Sequence, residues 1–533
     1  MKNEIKLLDC TLRDGGYIND WEFGTSTILC VFDRLVNAGV DAIEIGFLDE
    51  RRPYDPNRTI QPDTACYDKI FSGCDKGNAM VVAMIDYGTC GIEHIGPCED
   101  SFIDGIRIIF KKPKMKAAID FARQVKEKGY KVFLQMVSIT SYSDRDILDL
   151  VDMVNEVEPY ALSMVDTYGL MHKEEMFHYF HLLERNLKST IGIGYHSHNN
   201  FQLGYSNEVE MLRKVKNRSV VVDGTMYGMG KSAGNAPLEL LAMYLNENYD
   251  GHYVIDQILE VIEVNILPIY KEHYWGYSLL FFLAASNDCH PNYISYLLEK
   301  HTLSVKAIND IASSICKEKR LDFDKSYIEQ LYTQYQQKTV SEGPGMEGLS
   351  RALSGRQILL LGPGTSLQTQ EKIIEEYIEK DHPVIMSVNC IPQNIKPDYV
   401  FISNAKRFSQ MYRAFSGLNG QCKIIATSNV SSVDKPFDFV LSYEDLRDEN
   451  TVIEDNAFIM ILKALTMMKI GEVMLAGFDG YSAKGGNNYF DKYMDFKADY
   501  ARLQQVNEAV KDKLAVMQHG ICMNFLTKSL YKE

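Results

Sequence analysis

Lys6-Leu7-Leu8-Asp9-Cys10-Thr11-Leu12-Arg13-Asp14-Gly15-Gly16-Tyr17 opens the chain with a short apolar strand that breaks into an Arg–Asp pair and two glycines. The glycines free the backbone to turn, Arg13 brings a fixed positive charge, and Asp14 offers a hard oxygen ligand. Taken alone, the pair reads equally well as a structural salt bridge. Similar runs, rich in β-branched and aliphatic residues, alternate with longer helix-like segments as far as about residue 250, the signature of repeated βα units. The candidate strands are Ile5–Asp9, Val40–Gly46, Met80–Ile85, Gly105–Phe110, Lys131–Val137, Ala161–Val165, Ile191–His196 and Val220–Gly224. Eight such units predict a (β/α)₈ TIM barrel over 1–250 rather than an open doubly wound sheet, with its chemistry at the C-terminal ends of the strands.

The seventh strand ends in Tyr195-His196-Ser197-His198-Asn199-Asn200. Residues two apart on a strand share a face, so both imidazoles can converge on one ion. With an aspartate from another strand they form a mixed nitrogen and oxygen site that leaves positions open for substrate, suited to Mn²⁺, Mg²⁺, Fe²⁺ or Zn²⁺. After the eighth strand comes Asp223-Gly-Thr-Met-Tyr-Gly228-Met-Gly230-Lys231-Ser-Ala-Gly234-Asn235-Ala-Pro-Leu-Glu239. A P-loop would need glycine where Thr225 stands, so that reading fails. The stretch reads either as a flexible loop at the barrel mouth or as a substrate-closing loop with Asn235 near the metal.

Together, Thr11-Leu-Arg13-Asp14-Gly15, His196-Ser-His198 and the glycine-rich run ending at Asn235 resemble the DRE-TIM metallolyases, the family of 3-hydroxy-3-methylglutaryl-CoA lyase and isopropylmalate synthase. The Gly234-Asn235-Ala-Pro-Leu-Glu239 ending is most similar to the 4-hydroxy-2-oxovalerate aldolase branch. The resemblance implies that Asp14, His196 and His198 hold a divalent ion, Mn²⁺ first and Mg²⁺ next, with Asn235 as a further ligand or a neighbour of the ligands. It also implies that Arg13 faces a developing enolate oxygen. The implied activity is a metal-dependent aldolase, a carbon–carbon lyase cleaving or forming a 4-hydroxy-2-oxo acid through a pyruvate-type enolate. Its partners would be a 2-oxo acid and an aldehyde.

The branch places a histidine shortly after the Arg–Asp pair as general base, whereas Gly15-Gly-Tyr17-Ile-Asn-Asp20-Trp21 contains none. Tyr17 is the first candidate for that role and Asp20 the second. Glu44 lies inside an apolar strand, where a carboxylate needs a partner; it is expected to pair with Arg13 or to join the ligand network around the substrate. Gln135 and Thr167 are candidate substrate-binding residues, with purely structural hydrogen bonding as the alternative. A Claisen-type acyltransferase using acetyl-CoA is the competing enzymatic reading, disfavoured because Gly16 stands where that branch carries Gln or Glu. The other alternative is a catalytically silent barrel carrying a nucleotide-sugar-binding or transferase domain.

A helical extension is expected over 251–340, including the aromatic segment His273-Tyr-Trp-Gly-Tyr-Ser-Leu-Leu-Phe-Phe-Leu283. That segment reads as packing against the barrel or another subunit, or else as a lid. The Gly- and Pro-rich stretch from Ser341 predicts a linker over 341–354. A Rossmann-like α/β domain follows over 355–533, with strands Gln357–Leu361, Val384–Val388, Tyr399–Ser403, Lys423–Ala426, Phe437–Leu441 and Val473–Gly477. Gly362-Pro-Gly364-Thr-Ser366, between a strand and a helix, can present N–H groups to a phosphate. With Val473-Met-Leu-Ala-Gly477-Phe-Asp479-Gly it is loosely similar to the sialyltransferase-like and 6-hydroxymethylpterin pyrophosphokinase-like Rossmann domains. That resemblance implies a nucleotide or phosphorylated sugar at Gly362, Gly364 and Ser366, with Asp479 near the site.

The 533 residues are enough for two or three domains, and 46% hydrophobic with 24% charged residues is an ordinary globular composition. A formal charge of −16, from 72 acidic and 56 basic residues, argues against nucleic acid as a partner. The apolar run Leu279–Ala285 is too short to span a membrane, and the eleven scattered cysteines read as reduced thiols. A soluble, cytoplasmic homo-oligomer is the expectation.

Overall fold

In the computed structural model of the chain, eight parallel strands close into a barrel. They are β1 (Ile5–Asp9), β2 (Ala42–Leu48), β4 (Met80–Asp86), β5 (Gly105–Phe110), β6 (Lys131–Met136), β7 (Ala161–Asp166), β8 (Gly192–Ser197) and β9 (Val220–Gly224). A two-residue β3 (Ile60–Gln61) is added to the outside of β2. Closure comes from β1, which pairs with β9 from Ile5 opposite Val220 to Asp9 opposite Gly224, and with β2 at Leu8 opposite Ala42. The structure describes residues 4–532 apart from 217, 301–302, 321, 339–344, 418–419, 421, 431–436, 483–487, 492–493 and 495–499.

The strands are buried on both faces, which accounts for their near-continuous apolar composition. Inside the barrel, Leu8, Cys10, Ala42, Val82, Phe133, Ala161 and Val221 form an apolar plug. Amphipathic helices cover the outside. One of them, Asp144–Val157, shows the local logic: Ser143 and Asp146 form a capping box at its start, Ile147, Leu150, Val151 and Val154 face the strands, and Glu158 ends it in a left-handed conformation.

The chain divides into two compact units, Met1–Pro291 and Asn292–Glu533. The helical stretch expected as one extension over 251–340 is therefore shared: helices Ile255–Val261, Leu267–Glu272 and Leu279–Ser286 belong to the barrel unit, and those from Asn292 onward to the other. Of the expected linker, residues 341–344 lie outside the described residues, and Met346–Leu353 is an amphipathic helix whose Leu349 and Leu353 are buried. Of the glycines that suggested a linker, Gly345 is the N-cap of this helix and Gly348 lies within it.

The second unit is built on a seven-stranded parallel sheet of β10 (Ile358–Leu361), β11 (Val384–Val388), β12 (Tyr399–Ile402), β13 (Lys423–Thr427), β14 (Phe439–Leu441), β15 (Glu472–Ala476) and β16 (Cys522–Phe525), in the order β14-β13-β12-β11-β10-β15-β16. The order reverses between β10 and β15, as in Rossmann-like sheets. Both β3 and β16 go beyond the strands expected from sequence. Among the described residues, no helix is long and apolar enough to cross a membrane.

Candidate active site

Strand alternation builds the barrel mouth. Two residues beyond the apolar plug on the same faces come Glu44, Arg107, Gln135, Ser163 and Asp223, a polar tier buried inside the barrel. The pattern continues outward through Met84 and Asp86, Ile109 and Lys111, Val165 and Thr167, and His196 and His198. These residues line a cavity of about 140 Å³ together with Arg13, Asp14, Tyr17 and Lys231.

Within the cavity, ligand atoms of Asp14, His196 and His198 lie within 4.8 Å of one another. His196 Nε2 is 3.9 Å from Asp14 Oδ1, and the two imidazole rings stand nearly perpendicular, 5.1 Å apart. Asn235 Nδ2 donates to Asp14 Oδ2 at 2.7 Å. His196 Nε2, His198 Nδ1 and Asn235 Oδ1 are buried and have no hydrogen-bond partner among the described residues, a costly arrangement unless something else satisfies them. Burial works to raise the Asp14 carboxyl, but Arg13, with the two histidines and Asn235, outweighs it and holds the group ionised. Burial pushes His198 down to about 4, so its lone pair is available at neutral pH. A carboxylate, two imidazoles and an amide oxygen form a donor set that fits a divalent ion with open positions.

The polar tier holds this set in place. Arg13 Nε donates to Glu44 Oε2 at 2.7 Å and Arg13 Nη1 to Asp14 Oδ1 at 2.5 Å. Arg107 Nη1 reaches the same Glu44 oxygen at 3.0 Å, and Arg107 Nη2 is paired with Asp223. Asp223 Oδ2 in turn lies 2.9 Å from His196 Nδ1. Burial opposes ionisation of Asp223, yet the Arg107 guanidinium keeps it below its ordinary range.

The loop after β9 is pinned against this donor set. His198 and Asn235 form an isolated antiparallel bridge, Asn199 N donates to Gly234 O, and Lys231 N donates to Asp14 Oδ2 at 3.2 Å. Gly230 is required here: a Cβ would fall 2.3 Å from Asn235 Nδ2 and 2.5 Å from Asp14 Oδ2. From the aromatic segment, Trp275 packs edge-on to Tyr270 and Tyr227, and its Nε1 donates to Tyr227 O at 3.0 Å. After β1, Trp21 Nε1 donates to Arg13 O at 2.8 Å.

Arg13, Asp14, Tyr17, Gln135, Thr167, His196, His198 and Asn235 thus come together. Glu44 lies beneath the cavity as an ion-pair partner of Arg13 and does not line it. Gln135 Nε2 donates to Ser163, and the Thr167 hydroxyl accepts from Ser138 N at 2.8 Å. Asp20 is not brought in. It and Trp21 are both left-handed, φ 52° and 57°, and this turn sends the carboxylate outward to Arg58 at 2.7 Å and Arg52 at 3.0 Å. Sequence reasoning also passed over Arg107, Asp86, Lys111 and the side chain of Lys231.

In the second unit the expected phosphate cradle is filled from within. Ser366 N donates to Asp479 Oδ2 at 2.8 Å, the Ser366 hydroxyl donates to Asp479 Oδ1, and Thr365 Oγ1 lies 3.1 Å from Oδ2. Gly364 N donates to Gly477 O, and a Cβ on either Gly362 or Gly364 would strike that carbonyl. The glycines serve close packing of two loops, and a phosphate at Ser366 would meet a carboxylate. Gly364 and Asp479 nevertheless line a cavity of about 340 Å³ at this sheet end, together with Asn389, Arg407, Asn456 and Tyr489.

A closed eight-stranded barrel with a buried Asp-His-His-Asn donor set at its strand ends, backed by an Arg–Glu–Arg–Asp chain, defines a (β/α)₈ domain equipped for a divalent ion. Residues 4–264 match the HMGL-like family, and this part of the chain is an HMGL-like domain. It is similar to an oxaloacetate decarboxylase of Mycobacterium tuberculosis (strain ATCC 25618 / H37Rv), 25% identical over 272 residues covering 49% of this chain and 76% of that protein. It is also similar to a 4-hydroxy-2-oxovalerate aldolase of Marinomonas sp. (strain MWYL1), 24% identical over 275 residues covering 50% and 79%. Among solved structures, an HMG-CoA lyase from Acenitobacter baumannii aligns with a TM-score of 0.41 and 15% identity over 51% of this chain and 92% of that one.

Proposed function

We propose that the barrel is a divalent-metal-dependent carbon–carbon lyase that cleaves or forms a 4-hydroxy-2-oxo acid through a pyruvate-type enolate, with Mn²⁺ or Mg²⁺ as its ion. The observation that carries this is the set of buried, unpartnered donors on His196, His198 and Asn235 converging on Asp14 beside Arg13. The names of the two curated relatives agree with it in one respect. Losing CO₂ from oxaloacetate and losing an aldehyde from 4-hydroxy-2-oxovalerate both break the C3–C4 bond of a 2-oxo acid and leave the same enolate.

Asp14, His196, His198 and Asn235 would hold the ion, which would supply Lewis-acid polarisation of a bound 2-oxo acid. Arg13 is locked by Glu44 and Asp14 and keeps further N–H groups for the oxygen on which charge develops. In cleavage the 4-hydroxyl gives up its proton, the C3–C4 electron pair moves onto C3, and the aldehyde leaves; condensation runs this in reverse. Tyr17 is the residue assigned to that proton. Burial and the neighbouring Asp14 charge push its phenol up, so it waits protonated, ready to donate to the new alkoxide in condensation. Gln135 and Thr167 orient the substrate from the opposite wall.

The test is exchange of pyruvate methyl protons for deuterium in D₂O, followed by NMR with Mn²⁺ or Mg²⁺ and with Asp14→Asn as control. Metal-dependent exchange lost in the variant is expected. Absence of exchange with metal bound would turn attention to the silent-barrel alternative, under which nucleotides rather than Mn²⁺ and pyruvate would raise the melting temperature.

A further inference from the structure

We infer that the aldehyde partner of this barrel carries an anionic group, a carboxylate or a phosphate, held by Lys231 at the cavity mouth. The inference rests on the lyase reading and adds the chemical class of the second substrate.

Lys231 follows the obligatory Gly230, and its own N–H is bonded to Asp14 Oδ2, so the position of its backbone is set by the metal site. The side chain lines the cavity and places its ammonium 5.3 Å from the centre of the Tyr17 ring. Among the described residues that ammonium makes no hydrogen bond or ion pair. A neutral substrate tail closing over it would strip water from a cation and return nothing, whereas an anion would replace the lost water with a charge-assisted bond.

A second lysine stands on the rim. Lys111 projects into the mouth by strand alternation from Ile109. Asp86, the rim's own carboxylate, lies in the combined field of Lys114, Lys111, Arg51 and Lys231. Deeper in, Arg13 is already neutralised by Asp14 and Glu44. Among the described residues, Lys231 therefore brings to the cavity an ammonium whose charge no hydrogen bond or ion pair takes up. The stacking of Lys231 over Tyr17 also puts the anion-holding group beside the residue assigned to the proton on the new hydroxyl.

The experiment uses the full chain with Mn²⁺ and pyruvate, and compares kcat/KM for matched aldehydes. Succinic semialdehyde is set against butanal, and glycolaldehyde phosphate against glycolaldehyde. Wild type should favour the charged member of at least one pair by about tenfold or more. Lys231→Met should bring that ratio close to one, while Lys231→Arg keeps most of it; the two pairs separate carboxylate from phosphate. Equal rates for charged and neutral aldehydes in wild type, or a preference that survives in Lys231→Met, would overturn the inference. Pyruvate exchange without aldehyde scores the parent reading separately. If exchange is absent, calorimetric titration of succinate and glycerol 3-phosphate into wild type and Lys231→Met still decides whether Lys231 holds an anion. Binding weakened about tenfold in the variant supports it, and unchanged or absent binding in wild type overturns it.

Discussion

The Asp223 oxygen that lies 2.9 Å from His196 Nδ1 is the same Oδ2 that Arg107 reaches. The carboxylate thereby keeps the proton of His196 on Nδ1 and turns the lone pair of Nε2 toward Asp14, the arrangement that outer partners of metal-binding histidines provide. Asp223→Asn should weaken Mn²⁺ binding about 10- to 100-fold by calorimetry. It should also destabilise the barrel by about 3–5 kcal/mol, because Arg107 keeps a buried charge with half its partners gone. Unchanged Mn²⁺ affinity in a folded variant would remove Asp223 from the site.

Gly230→Ala tests the close approach of the β9 loop. The added methyl group would lie 2.3 Å from Asn235 Nδ2 and 2.5 Å from Asp14 Oδ2, so either the loop or both ligands must move. Loss of metal-dependent pyruvate exchange is expected, with a drop in stability of about 1–3 kcal/mol. A variant that binds metal as wild type does would show that the loop is slack.

Asp9 gives the barrel a pH dependence. It is fully buried at the end of β1, accepting from the N–H and hydroxyl of Thr11. Burial pushes its carboxyl up to about 7, with Glu44 and Glu239 adding to the rise and Thr11 opposing it. In the unfolded chain the group titrates near 3.9. Since the folded value is the higher one, its contribution to stability is complete below about pH 4 and is lost as pH rises through about 7. Urea unfolding in the presence of a chelator, followed by far-ultraviolet circular dichroism, should show lower stability at pH 8 than at pH 5. Asp9→Asn should flatten part of that slope, and a slope of the opposite sign would exclude a neutral Asp9.

Asp479 should act as a structural anchor of the second unit. Truncation to alanine leaves Ser366 N without its acceptor and takes one partner from each of the Thr365 and Ser366 hydroxyls, at a cost of about 1–3 kcal/mol. Chemical unfolding of wild type and Asp479→Ala measures it. Tighter binding of inorganic phosphate by wild type than by the variant would count against the carboxylate-filled cradle.

The eight barrel strands are legible because each is a β-branched or aliphatic run, and the convergence of the two imidazoles is legible because His196 and His198 sit two apart at the end of one of them. Glu44 stood out as a lone charge in an apolar strand. Arg107, in Gly105-Ile-Arg-Ile-Ile-Phe110, carries the same signal with the opposite sign, and pairing the two would have exposed the buried chain to Asp223. Asp86 and Lys111 could have been found by extending strand alternation past the strand ends. Asp20 illustrates what local sequence hides: nearness to Arg13 and Asp14 along the chain says nothing of two successive left-handed residues that turn its carboxylate to Arg52 and Arg58. The Gly362–Ser366 loop misleads for a related reason, since the anion it receives comes from Asp479, more than a hundred residues away. Strand β16 escapes notice because Cys522-Met-Asn-Phe525 is a partly exposed edge strand of mixed polarity.

Both tryptophans of the chain belong to the barrel unit, Trp21 bonded to the carbonyl of Arg13 and Trp275 to that of Tyr227. The second unit contains none. Intrinsic indole fluorescence is consequently a private signal of the barrel mouth within a two-unit chain. Excitation beyond the tyrosine band reads the Arg13 turn and the Lys231 loop while the Rossmann-like unit stays dark. Paramagnetic Mn²⁺ and diamagnetic Mg²⁺ at the Asp14 site should then be told apart by quenching alone, with no label introduced.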